Sequence, residues 1–322
     1  MISFPIAVNN DHFKWQLDLF WFNHKLVYSE SAMDKAHAAV VKRNYSTESK
    51  REVLFWNTNI PHTMCESFFD HLKIDRDRDW QGTAVPLNIQ VGLKQAISLF
   101  DDEEIIEVLD CDMFHLKPYP DYKIADDELI VCDLYENWHM GTLGKNRHVI
   151  EPFFKNNGQF YNGGFVPIIG KVRTFRKILQ DWIDIHLEIL EGSHEAGLKW
   201  WAGMFALQAA CERNQVQMTA KDCCYIPNLN TLSPDHYICH YSVDPKFDKK
   251  KWPLVDVSFL GDNIFYNRVR QWLETYSDRP GYDEVKTLVG GAPKPPPRIR
   301  TPDIRPTWGY PAVFRLSKSS NE

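Results

Sequence analysis

Ile105-Ile106-Glu107-Val108-Leu109 is an almost wholly apolar run that stops abruptly on Asp110-Cys111-Asp112. A run this short and this apolar reads as a β-strand buried on both faces, and helices on both sides of a mainly parallel sheet supply that burial. Similar runs recur. Ile2 to Val8, Ala38 to Val41, Val53 to Trp56 and Leu129 to Cys132 each read as buried strands. Between them lie segments with helical spacing. Phe13, Leu17, Phe20 and Trp21 form one apolar face after a cap at Asn9-Asn10-Asp11, and Asn88 to Phe100 carries Ile89, Leu93, Ala96 and Ile97 in the same way. Strands alternating with helices predict an α/β fold with a mixed, mainly parallel sheet flanked by helices.

The second half continues with longer helices. Asn162-Gly163-Gly164 reads as a turn into a strand over Phe165 to Ile169. Phe175, Ile178, Leu179, Trp182, Ile185 and Ile189 then line one helix, and Leu198 to Cys211 forms another. His236 to Tyr241 is expected as a late strand and Phe265 to Tyr276 as a closing helix. From Gly290 prolines crowd the chain, which excludes a continuing helix or central strand. The expected division is a single domain over 1–288 and a Pro-rich basic arm over 289–322.

The charge balance, 37 Lys and Arg against 43 Asp and Glu, excludes a uniformly basic nucleic-acid coat. No apolar run is long enough to span a membrane, and no signal-peptide pattern is visible at Met1. The 7 Cys are scattered without metal-ligand spacing, which fits reduced thiols. The expectation is a cytoplasmic enzyme, in the host cytoplasm if the source is viral.

Asp110 and Asp112 carry the chemistry. Ligands of open α/β sheets bind beyond the carboxyl ends of the strands, which is where this pair stands. Two carboxylates one residue apart offer hard oxygen ligands to Mn²⁺ or Mg²⁺. Such an ion holds a nucleotide's phosphates and offsets the charge that develops as the leaving group departs. A metal-dependent phosphohydrolase or nucleotidyltransferase uses similar carboxylates but needs a second acidic cluster. A non-catalytic nucleotide-sugar or glycan-binding module is the alternative from outside the enzymes.

The stretch Glu104 to Pro118, centred on Leu109-Asp110-Cys111-Asp112-Met113, resembles the metal-binding segment of the GT-A (Rossmann-like) glycosyltransferases. With Asn88 to Ala96, and with His240-Tyr241 followed by Asp248 to Trp252, it is similar to the hydroxyproline O-arabinosyltransferase and peptidyl-serine α-galactosyltransferase group. The resemblance implies a UDP-sugar donor carrying arabinose, galactose or glucose, and retention of anomeric configuration. It makes His240 the third metal ligand beside Asp110 and Asp112, with His236 a weaker alternative. Val8, Asn9 and Asn10 stand where such enzymes hold the donor base. Lys94, Lys246 and Lys249 become phosphate contacts, and Asn162, Gly163 and Gly164 a turn beside the donor sugar. The relatives carry an acidic residue where this chain has Gly203, so either that role falls to Glu195 or Glu212, or the acceptor differs. Should the reaction invert, Asp133 and Glu195 are the candidate bases.

The acceptor is the least constrained part. Between Lys286 and Glu322, Lys and Arg outnumber Asp and Glu, and Trp308, Tyr310 and Phe314 are interleaved among them. Cations with stacking rings suit a nucleic-acid strand. The expected acceptor is therefore a hydroxyl on a hydroxymethylated base of viral DNA, or else on a protein or glycan.

Overall fold

The computed structural model describes residues 1–8, 11–28, 36–42, 61–74, 86–133, 147–154, 164–193, 196–227, 231–241 and 264–276. The apolar runs become strands: β1 (Ile2–Val8), β2 (Ala38–Val41), β3 (His62–Cys65), β4 (Ile105–Asp110), β5 (Met113–His115), β6 (Glu128–Asp133), β7 (Gly164–Lys171), β8 (Gln217–Lys221), β9 (Cys224–Tyr225) and β10 (Ile238–His240). The helices are α1 (Asp11–Tyr28), α2 (Phe68–Leu72), α3 (Leu87–Ala96), α4 (Val172–Gly192), α5 (Ala196–Arg213) and α6 (Ile264–Tyr276). The strand expected over Val53 to Trp56 and the arm from 289 lie outside the described residues.

Seven strands form one sheet in the order β3-β2-β1-β4-β7-β6-β8. All adjacent pairs run parallel except those made by β7, which is antiparallel to both β4 and β6. The mixed, mainly parallel sheet expected from the run pattern is thus present. Its centre is dry, with all four residues of β2 and Ile106 to Leu109 of β4 buried. Side chains of β1 alternate between two layers. Ile6, with Ala39 and Val41 of the neighbouring strand, lies against Gly92 of α3, where a Cβ would come within 3.3 Å of Ala39. Ser3 points the other way, toward the layer that holds α1 and β5. Helices α4 and α5 pack on each other, α4 on α3 and both on β7, completing the first layer.

A second, three-stranded sheet has the order β5-β10-β9. It brings the chain from beyond β8 back to the strand that follows Asp112. Its far side is closed by an aromatic cluster of Trp15, Phe114, Tyr241, Phe265 and Trp272, through which α6 packs on α1. No helix among the described residues is long and apolar enough to cross a membrane.

Candidate functional site

Asp110 is the last residue of β4, and Asp112 stands in the two-residue turn between β4 and β5. Val108 and Leu109 before them are fully buried, whereas the two carboxylates emerge at the strand end partly exposed, where they stay solvated. His240 is the last residue of β10 and lies directly opposite Met113 in the antiparallel β5–β10 pair. The Tyr241 amide continues this register by donating to the Asp112 carbonyl at 3.1 Å. Register alone therefore carries a residue distant in sequence to the acidic turn.

The side chains converge. His240 Nε2 lies 3.3 Å from Asp112 Oδ1, and one ligand atom each from Asp110, Asp112 and His240 falls within 4.8 Å of the others. His240 is buried, while the two carboxylates are partly exposed at the sheet edge. Burial, and then the Asp112 carboxylate, push the Tyr241 hydroxyl and the Cys239 thiol well above their ordinary values. The negative charge thus acts in surroundings that screen it poorly. Two hard oxygens and an imidazole, open to solvent on one side, suit a divalent cation that keeps free positions for a ligand.

Other expected residues gather at the same edge. Val8 ends β1, whose Ile6 pairs with Asp110. Asp133 ends β6 and pairs across the sheet with Gly164, the first residue of β7. Asn9, Asn10, Asn162, Gly163, Glu195, Lys246 and Lys249 lie outside the described residues. Lys94 is placed elsewhere: its Nζ donates to Gln180 Oε1 at 2.6 Å, in the seam between α3 and α4. His236 precedes β10 rather than sharing a strand face with His240. Its Nδ1 accepts from the Ser233 amide at 2.9 Å and its Nε2 faces Asp222 at 2.9 Å, so both ring nitrogens are engaged in a surface turn. Gly203 is a packing position. A Cβ there would come within 3.1 Å of His186 Cε1, and its carbonyl accepts from Trp182 Nε1 at 2.7 Å. The helix layer leaves no room for an acidic side chain at this point.

Sequence reasoning overlooked a polar cluster behind the turn. Glu107 and His115 are fully buried, with His115 Nε2 2.8 Å from Glu107 Oε2. Ser3 Oγ donates to the same carboxylate oxygen at 3.1 Å. Burial alone would raise the Glu107 carboxyl, but His115, and then the hydrogen bond from Ser3, bring it below the ordinary range. The available signal was a single acidic residue inside an otherwise apolar strand.

No known protein-family profile matches this sequence, and no curated protein matches it by sequence. Solved structures do match in three dimensions. One is galactosyltransferase LgtC in complex with donor and acceptor sugar analogues, with a TM-score of 0.52 and 10% identity, covering 88% of this chain and all (100%) of that one. An active-site mutant of LgtC superposes with a TM-score of 0.50, again at 10% identity and with the same 88% and 100% coverage. At this identity the likeness establishes the fold, which is that of the GT-A glycosyltransferases.

Proposed function

We propose that this protein is a metal-dependent glycosyltransferase that moves a sugar from a UDP-sugar to a hydroxyl acceptor. The observation that carries the reading is the convergence of Asp110, Asp112 and His240 within 4.8 Å, at the carboxyl edge of the central sheet in this fold. Galactose heads the donor panel, because the superposable LgtC is a galactosyltransferase; glucose and arabinose follow.

Asp110, Asp112 and His240 would hold Mn²⁺ or Mg²⁺, which when bound offsets the charge gathering on the diphosphate as the glycosidic bond breaks. Val8, which ends β1 beside β4, would help to hold the base, with Asn9 and Asn10 following it in sequence. On the other side β7 begins at Gly164 and β6 ends at Asp133; together with Asn162 and Gly163, which precede Gly164 in sequence, they would serve the sugar and acceptor. Lys246 and Lys249 follow the His240 strand in sequence and supply cations for the phosphates. If the reaction retains configuration, the departing phosphate oxygen takes the acceptor proton and no side-chain base is required. If it inverts, Asp133 or Glu195 takes that proton. Gly203 makes no acidic contribution.

The test is nucleotide release from a panel of UDP-sugars with Mn²⁺, comparing the wild type with Asp112→Asn. One donor should be hydrolysed slowly, and the variant should lose roughly a hundredfold or more of that rate, as when an electrostatic contact to developing charge is removed. Equal turnover by both proteins would overturn the reading. With the donor known, glycan, protein and hydroxymethylated-DNA hydroxyls can be compared as acceptors.

A further inference from the structure

Asp110 and Asp112 belong to a turn that leaves the large sheet, whereas His240 belongs to the small one. Among the described residues no strand ladder joins the two sheets. The β5–β10 ladder fixes His240 relative to Asp112, and the β1–β4 ladder fixes Asp110 relative to the large sheet. Neither sets the angle between β4 and β5, on which the convergence of all three ligands depends.

We infer that Glu107 and His115 are positioning residues for this triad, forming a buried strut that locks β4 against β5 and so holds Asp110 in register with Asp112 and His240. The inference rests on the metal-binding reading above. Glu107 lies three residues before Asp110 and His115 three after Asp112, so the 2.8 Å contact between them closes the base of the turn. Ser3 ties Glu107 to β1, and His115 lies on β5, whose antiparallel partner β10 ends on His240. The Glu107–His115 contact therefore links β4, which ends on Asp110, to the small sheet that carries His240.

His115 cannot swing away from this contact. Its ring meets Phe20, His24, Tyr28 and Tyr237 at centroid distances of 5.9, 5.5, 5.3 and 6.3 Å. The backbone beside it is pinned as well, with the Leu116 amide donating to the Tyr237 carbonyl at 2.7 Å.

Core stability does not account for the pair. Burying two ionisable groups costs several kcal/mol each, and apolar side chains of similar volume fill such a space as well or better. What an apolar pair lacks is direction: dispersion contacts tolerate sliding by a few tenths of an ångström, whereas a charged hydrogen bond does not. Metal ligation has comparably narrow limits, with distances held to about 0.2 Å. A small change in the β4–β5 angle, harmless to packing, would separate Asp110 from the other two ligands.

The test uses the full chain and Mn²⁺ alone, with binding followed by loss of the free-ion electron paramagnetic resonance signal. The double variant Glu107→Gln/His115→Phe removes the bridge without stranding a charge, since the Gln amide still pairs with Ser3. Its melting temperature should stay within a few degrees of the wild type, while its Kd for Mn²⁺ rises roughly 10- to 100-fold, the range typical of losing an orienting partner. His115→Gln, whose amide can still donate to Glu107, should restore most of the affinity. A purely structural role predicts the reverse, a lowered melting temperature with unchanged Kd. If the first double variant does not fold, the all-apolar Glu107→Leu/His115→Phe takes its place. Wild-type affinity in either folded double variant overturns the inference. Failure of the wild type to bind Mn²⁺, or equal binding by Asp112→Asn, instead overturns the metal reading, and the inference with it.

Discussion

Replacing His186 with Gln should make this protein measurably more resistant to mild acid. His186 is fully buried in α4, where its Nδ1 lies 2.9 Å from Gln90 Oε1 of α3. An amide oxygen only accepts, so Nδ1 carries a proton. Burial pushes its pKa down from 6.5 to about 3. In the unfolded chain the same imidazole titrates near its ordinary value, so below pH 6.5 the unfolded state binds a proton that the folded state refuses. Folded stability from this group is therefore complete above the unfolded value and falls as the medium is acidified toward pH 3. Each pH unit in that window costs about 1.4 kcal/mol. Between pH 7 and pH 5 the loss comes to about 2 kcal/mol, a sizeable part of a typical folding free energy of about 5–15 kcal/mol. Gln at 186 keeps a donor for Gln90 and does not titrate. Urea unfolding of both proteins at pH 7 and pH 5 isolates the effect, because every other group contributes equally to the two curves. Parallel curves, with a difference changing by less than about 0.5 kcal/mol, would refute the claim that His186 is held neutral in a dry interior.

Two further predictions test the same interior. Gly203→Glu should destabilise the fold by about 3 kcal/mol or more, since its Cβ would stand 3.1 Å from His186 and a carboxylate would enter a sealed helix interface; near-native stability in urea would show that the α4–α5 contact is looser than described. All seven cysteines are buried as free thiols, and burial raises Cys65, for one, to about 11. A thiol-titrating disulfide reagent should therefore find fewer than one equivalent in the native protein and all seven after denaturation. Rapid reaction of two or more would contradict this packing.

Much of the fold was legible because buried parallel strands need uninterrupted apolar runs. Ala38 to Val41, Ile105 to Leu109 and Leu129 to Cys132 each became strands of the large sheet, and the helical stripes became α1, α3, α4 and α5. The reversed direction of β7 was not legible, since an apolar strand has the same composition whichever way it runs. The small sheet was hidden for a different reason. Met113-Phe114-His115 and Cys224-Tyr225 are too short to show periodicity, and only their pairing with β10 makes them strands. Spacing could not separate His236 from His240 either. On a strand of period two they would share a face, but His236 lies in the turn before β10, bound to Asp222 and Ser233.

The sequence by itself determined that Asp110 and Asp112 stand together at the end of a buried strand, because an apolar run that stops on two acidic residues favours leaving both at its solvated end and residues two apart cannot be separated. It also determined the helix-covered sheet that places such an end at the edge beyond which open α/β sheets bind their ligands. Only the tertiary structure decided that His240 completes the group, since the β5–β10 register, not any local propensity, sets the 3.3 Å between His240 and Asp112. The same holds for Glu107. In the chain it is one polar residue among apolar neighbours, and it acquires a partner only when β5 folds back and lays His115 against it. Chain connectivity determines short-range chemistry, whereas contacts between distant segments depend on the register and angle of the surfaces that carry them.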